Sequence, residues 1–187
     1  MFKNNNIKLL FQDEVHFQQN TTITRAWFKK SSKPTIKTSV GRNTISYSGY
    51  VSPISGELFT TKSKTFNFEE VIKSFRELIK KFSAENKKIV LVLDNAPWHR
   101  KAHRLIYKEK DSEYKDIRKV MSLFFIPPYS PDLNPIELCW KTTRKEVTHN
   151  RYFSTIKELE DKLDAYFKKY SVSNEKYKKL CNFNYKF

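Results

Sequence analysis

Glycine is nearly absent from this chain, with three residues in 187. A loop that wraps a phosphate needs several, because only glycine lets backbone N–H groups approach so closely. Neither GxxxxGK[ST] nor GxGxxG occurs, which excludes nucleotide-binding enzymes of those kinds. Cysteine is scarcer still. Cys139 and Cys181 are far apart and form no CxxC pair, which argues against a disulfide scaffold or a zinc ribbon. No run of about 18 apolar residues exists, so no membrane span is expected. Met1-Phe2-Lys3-Asn4-Asn5-Asn6 lacks the apolar stretch of a signal peptide, and the expectation is a cytoplasmic, nucleoid-associated protein. Acids are also in deficit, 20 against 36 Lys and Arg, for a net charge of +16.

What is present narrows the class. Hydrophobic residues make up 39% and aromatics 15%, too much for a disordered basic tail, and the length suits one compact domain. The charge is unevenly spread. From Met1 to Asp94 there are 16 basic and 8 acidic residues, and from Lys141 to Phe187 there are 12 and 6. Between Asn95 and Trp140 the numbers are 8 and 6, so the middle is nearly neutral and the flanks are basic. Basic flanks of this kind fit a nucleic acid as the polyanionic partner.

Periodicity gives the order of elements. Ile7 to Phe17 reads as a strand, Ala26-Trp27-Phe28 as β-like, and Asn43–Val51 and Glu57–Thr61 as further strands around the Ser55-Gly56 turn, so the first third forms an antiparallel meander of about three strands. Phe68, Val71, Ile72, Phe75, Leu78, Ile79 and Phe82 then recur at helical spacing, with Asn67 as N-cap and Glu70 three residues on. Ile89 to Leu93 is a continuous apolar run, as in a central parallel strand, and it ends at Asp94. A helix from Trp98 to Tyr107, a charged surface extension from Lys108 to Lys119 and a strand from Val120 to Ile126 follow. Pro127-Pro128 stops that strand, and Asn134 and Pro135 open a helix to about His149. Thr155 and Glu158 cap a last amphipathic helix. Residues 1–170 therefore read as one α/β domain with a mixed sheet, and 171–187 as an unassigned tail.

Asp13 and Asp94 each fall at the C-terminal end of an apolar strand. A buried carboxylate there is costly unless a cation compensates it, and such strand edges favour ligand sites. Glu137, in the first turn of the Asn134 helix, is the best placed third acid for an all-oxygen Mg²⁺ or Mn²⁺ site. Glu14 points away from Asp13, because strand side chains alternate, and suits a salt-bridge partner. Arg25, Lys29, Lys30 and Lys33, with Arg42 beyond them, suit contacts to backbone phosphate.

Three segments carry a resemblance. FQDE at Phe11–Glu14, LDNAPWH at Leu93–His99 and PPYSPDLNPIELCW at Pro127–Trp140 together resemble the catalytic domain of DDE transposases of the mariner-like superfamily, especially its prokaryotic insertion-sequence branch. The third motif is long and specific, the second moderately so, and the resemblance spans roughly Ile7 to Tyr170. It implies a ribonuclease H-like fold, a mixed central sheet flanked by helices, with Asp13, Asp94 and Glu137 holding two Mg²⁺ or Mn²⁺ ions. It favours Glu137 over Asp132, places Asn95 and His99 as support near the site, and makes Arg151 a phosphate contact within His149-Asn150-Arg151. The implied reaction is strand cleavage and strand transfer in cut-and-paste transposition, on transposon ends and target DNA, by a homodimer. Another nuclease of the same fold, such as a ribonuclease H or junction resolvase, and a DNA-binding remnant without activity are the alternatives. Two departures stand out. The gap between Asp94 and Glu137 exceeds the family's usual spacing by about the length of the charged segment. The helix-turn-helix region expected before the catalytic domain is not in this sequence, which points to a fragment, a split reading frame or a separate helix-turn-helix polypeptide.

Overall fold

The computed structural model describes residues 6–38, 43–85 and 87–182. Three antiparallel strands come first: β1 (Ile7–Gln18), β2 (Thr44–Val51) and β3 (Leu58–Ser63). Helix α1 (Phe68–Phe82) leads to β4 (Lys88–Leu93), α2 (Pro97–His103), α3 (Lys115–Val120) and β5 (Met121–Phe125). Helices α4 (Ile136–Thr143), α5 (Ile156–Tyr170) and α6 (Glu175–Leu180) complete the chain. The sheet order is β3-β2-β1-β4-β5, with β4 parallel to both β1 and β5. This is the ribonuclease H-like arrangement that the motifs imply. Among the described residues no helix is long and apolar enough to cross a membrane.

Two cores lie on opposite faces of the sheet. Val71, Ile72, Phe75, Leu78 and Phe82 of α1 pack with Leu10, Ile89, Leu91 and Leu93 and with Ala102, Ile106 and Ile117. On the other face Ile136, Cys139 and Trp140 of α4 join Leu159, Leu163 and Phe167 of α5 over Val15, Phe17, Tyr47, Val51 and Leu58. Each fully buried side chain of this size is worth about 1.5–3 kcal/mol relative to exposure. The helix starts follow their caps. Asn67 Oδ1 accepts from Glu70 N at 2.9 Å, and Thr155 Oγ1 from Glu158 N at 3.1 Å while Glu158 reaches back to Ser154 N at 2.9 Å.

Several elements depart from the sequence reading. Ala26–Phe28 is not a strand: among the described residues nothing pairs with it, and Trp27 and Phe28 are exposed. A tight turn does occur there, with Ser32 N donating to Lys29 O at 3.0 Å. Lys108–Lys119 is more than a surface extension, because it contains a 3₁₀ turn (Ser112–Tyr114) and most of α3, and it buries Tyr114 and Ile117. Arg118 donates to Ile106 O at 2.9 Å, which ties the segment to the π-type turns Arg104–Lys108 that continue α2. After Ser171, α6 packs Tyr177 and Cys181 into the second core. Asn174 caps it through Tyr177 N at 2.9 Å, and the Asn174 carbonyl fits only because Gly56, at φ 74°, has no Cβ; one there would lie 2.1 Å away. Arg42 lies outside the described residues.

Candidate active site

Strand β1 is paired on both sides only at Phe11, with β4 before it and β2 after it. Its parallel partner β4 stops there, while β2 follows it antiparallel to Gln18. Asp13 is therefore mid-strand rather than at a strand end, and it sits just where the β4 side opens. Alternation turns Asp13 toward α4 and Glu14 toward α2.

On the α4 side, Trp140 Nε1 donates to Asp13 Oδ2 at 3.0 Å. The residue paired with Asp13 across β2 is Gly49, and a Cβ there would meet the Trp140 ring at 2.2 Å. Glycine at this position thus makes room for the indole. Phe17 and Phe167 hold the ring edgewise, with centroids at 6.4 and 6.2 Å.

Asp94 follows the last residue of β4. Its Oδ1 accepts from Ala96 N at 3.0 Å and lies 2.7 Å from His99 Nδ1. His99 is fully buried, and its Nε2 faces Glu14 Oε1 at 3.0 Å. Both ring nitrogens thus face carboxylates, an arrangement that suits an imidazolium donating twice. Burial opposes that charge, but the hydrogen bonds to Asp94 and Glu14 outweigh it and raise His99 to about 9. Burial likewise pushes Asp94 up, yet His99 and the Ala96 N–H hold it below the usual carboxylate value. Asn95 Nδ2 donates to Ile126 O at 2.7 Å and its Oδ1 accepts from Arg100, whose guanidinium lies 4.3 Å above the Phe125 ring.

Glu137 arrives from the Pro-rich turn. Asn134 Nδ2 donates to Gln12 O at 3.0 Å and its Oδ1 accepts from Ile136 N at 3.4 Å, so one side chain fastens the start of α4 to β1 beside Asp13. Asp13, Asp94, Asn95, Pro127, Asn134 and Glu137 then line one cleft of about 400 Å³. Asp132 stands exposed on the turn Pro131–Leu133, outside that cleft. Burial, then the nearby Glu137 and Glu14, raise the Asp13 carboxyl to about 8.

A family model described as DDE superfamily endonuclease matches residues 8–160. The chain belongs to this family. Its fold is that of the Mos1 transposase. The Mos1 paired-end complex with left transposon end matches at a TM-score of 0.64 and 14% identity, covering 93% of this chain and 51% of that one. The Mos1 strand transfer complex matches at 0.62 and 15%, covering 93% and 50%. This DDE domain therefore spans about half the length of those chains. A curated relative, the uncharacterized protein y4pE/y4sA of Sinorhizobium fredii, is 34% identical over 70 residues, which is 37% of this chain and 44% of that protein.

Within the DDE domain the structure brings Asp13, Asp94, Glu137 and Asn95 to one cleft and sets His99 behind Asp94. Among the described residues no three His, Cys, Asp or Glu side chains stand close enough to form a metal-binding group as they are. The donor set nonetheless fits a hard divalent cation: three carboxylates from three elements line the cleft, and burial together with the nearby Glu137 and Glu14 disfavours the charge on Asp13 that a cation would balance. Arg25, Lys29, Lys30 and Lys33 sit apart, on the irregular segment 19–38, and Arg151 is exposed beside the root of that segment. Sequence reasoning missed the Glu14–His99 pair, the Trp140 N–H to Asp13 and the double role of Asn134. The adjacent acids of FQDE were the available signal for the first.

Proposed function

We propose that this DDE domain is the catalytic domain of a mariner-like transposase, with Asp13, Asp94 and Glu137 as its metal-binding acids. The observation that carries the reading is the single cleft lined by these three carboxylates from β1, the end of β4 and the first turn of α4. Mos1 paired-end complexes have been solved with Mn and with Mg, and an all-oxygen site of this charge suits either ion. Two such ions, when bound, would supply water activation and stabilise the leaving oxygen in an in-line attack on a phosphodiester.

The remaining work falls to the chain's own side chains. Trp140 orients one Asp13 oxygen, and His99 keeps Asp94 ionised and fixed in rotamer. Asn134 sets where Glu137 enters the cleft. Arg25, Lys29, Lys30, Lys33 and Arg151 hold backbone phosphates, and the 3′-hydroxyl freed by cleavage then attacks target DNA in the same cleft. The active complex is a homodimer on paired transposon ends, and a helix-turn-helix region, on the same or a separate polypeptide, recognises those ends.

Asp94→Asn is the decisive variant. It should cut Mg²⁺- or Mn²⁺-dependent nicking of duplex DNA by about a thousandfold or more, with duplex affinity within about twofold of the wild type. Equal nicking by mutant and wild type sinks the assignment of Asp94. Cleavage of RNA–DNA hybrids or four-way junctions without strand transfer would instead make the chain another nuclease of this fold, and no nicking on any substrate would make it a DNA-binding remnant.

A further inference from the structure

Residues 19–38 leave the end of β1 and turn back toward β2 without joining the sheet. They carry Arg25, Lys29, Lys30 and Lys33 together with the fully exposed Trp27. One side chain holds the root of this arm. Asn150 has a left-handed backbone, at φ 58°. Its Oδ1 accepts from Thr24 N at 2.8 Å, and its Nδ2 lies 3.2 Å from both the carbonyl and the hydroxyl oxygen of Thr24. Its own N–H donates to Thr22 O at 3.0 Å. The amide thus satisfies the backbone of Thr24 as a neighbouring strand would, where among the described residues Thr24 pairs with no strand. The return leg meets the same point, because the Thr21 hydroxyl lies 3.0 Å from the carbonyl oxygens of both Lys37 and Arg151. Thr22 and His149 form a single parallel bridge alongside.

The other side of the latch is helical. Helix α4 continues through wider π-type turns over Arg144–Thr148, and His149 N closes them on Arg144 O at 2.7 Å. Asn150 follows directly. The arm is therefore fastened to the far end of the helical body whose first turn carries Glu137.

We propose that Asn150 is a positioning residue that latches the basic arm to the Glu137 helix, so that phosphates held by the arm keep a fixed spacing from the acidic cleft. This rests on the transposase reading above. Asn150→Gly separates the side chain from the backbone, since glycine accepts the left-handed conformation. The variant should melt within a few degrees of the wild type, while trypsin cuts after Arg25, Lys29 and Lys30 about tenfold faster. Affinity for duplex oligonucleotide should fall about five- to tenfold, raising KM for nicking more than it lowers kcat. In a Lys29→Gln, Lys30→Gln background, Asn150→Gly should add less than about twofold, because it acts through the arm.

Unchanged tryptic cleavage overturns the latch. Faster cleavage beside unchanged DNA affinity overturns the positioning role alone, as does an undiminished effect in the Lys29→Gln, Lys30→Gln background. Failure of the wild-type chain to bind duplex DNA overturns the transposase reading and the positioning role with it.

Discussion

Asp13 and Asp94 line one cleft and are held in opposite ways. Asp94 has its counter-charge built in: His99 stands beside it, and the Ala96 N–H completes its shell. Asp13 has the neutral indole N–H and the Glu14 backbone N–H, while burial removes water and Glu137 and Glu14 press on it. One side of the cleft is satisfied as it stands, and the other is satisfied only by a proton or a cation. The difference separates an acid whose charge the protein itself balances from one whose charge it does not. Asp13 stores the repulsion, and its neighbour is neutralised by the protein.

Breaking the satisfied side should cost most. His99→Ala leaves Glu14, which is nearly buried, without its cationic partner, and a loss of about 3–5 kcal/mol in urea unfolding is expected. A loss under about 1 kcal/mol would mean that Glu14 and Asp94 relax into water. Next in size is Gly49→Ala, which forces the Trp140 ring from its seat and should cost about 2–3 kcal/mol. Indole fluorescence should shift with it; an unchanged spectrum and stability would show that the ring has room. The last change has the opposite sign. Asp13→Asn should stabilise the metal-free protein at pH 8, raising Tm. The folded state holds the Asp13 proton up to about 8 whereas the free carboxyl loses it near 3.8, so this contribution is complete below about pH 4 and is lost as pH rises to 8. His99, raised to about 9 from 6.5, loses its contribution in the same direction at higher pH, so the variant should keep only the later decline. A variant as pH-sensitive as the wild type between pH 4 and 6.5 would show Asp13 to be ionised already.

The helices were readable because their caps and stripes are local. Asn67 and Glu70, or Thr155 and Glu158, announce a start within four residues. Strand ends were harder, since β1 runs past Asp13 only because β2 is longer than β4 on its flanks. Ala26–Phe28 has the residues of a strand but, among the described residues, no edge to join, and no local signal marks that. Helix α6 depends on Gly56 to admit the Asn174 carbonyl, a contact between positions 118 apart in sequence. In the cleft, the acids stood out as motifs, whereas the Glu14–His99 contact joins residues 85 apart, and what each acid needs from its surroundings appears only in three dimensions.

The adjacency of Gln12, Asp13 and Glu14 has one more consequence. Strand β1 buries Leu10 on one face and Val15 and Phe17 on the other, so its apolar residues alone discriminate poorly between neighbouring registers. A slip of one residue would set Glu14 against the indole and Val15 against the imidazole, or Gln12 and Asp13 in those two places. Each polar partner accepts one side-chain length at one height. The residues that hold the cleft's acids thereby also proofread the folding of the central strand, and a chain that misaligns it forfeits its cleft and its stability together.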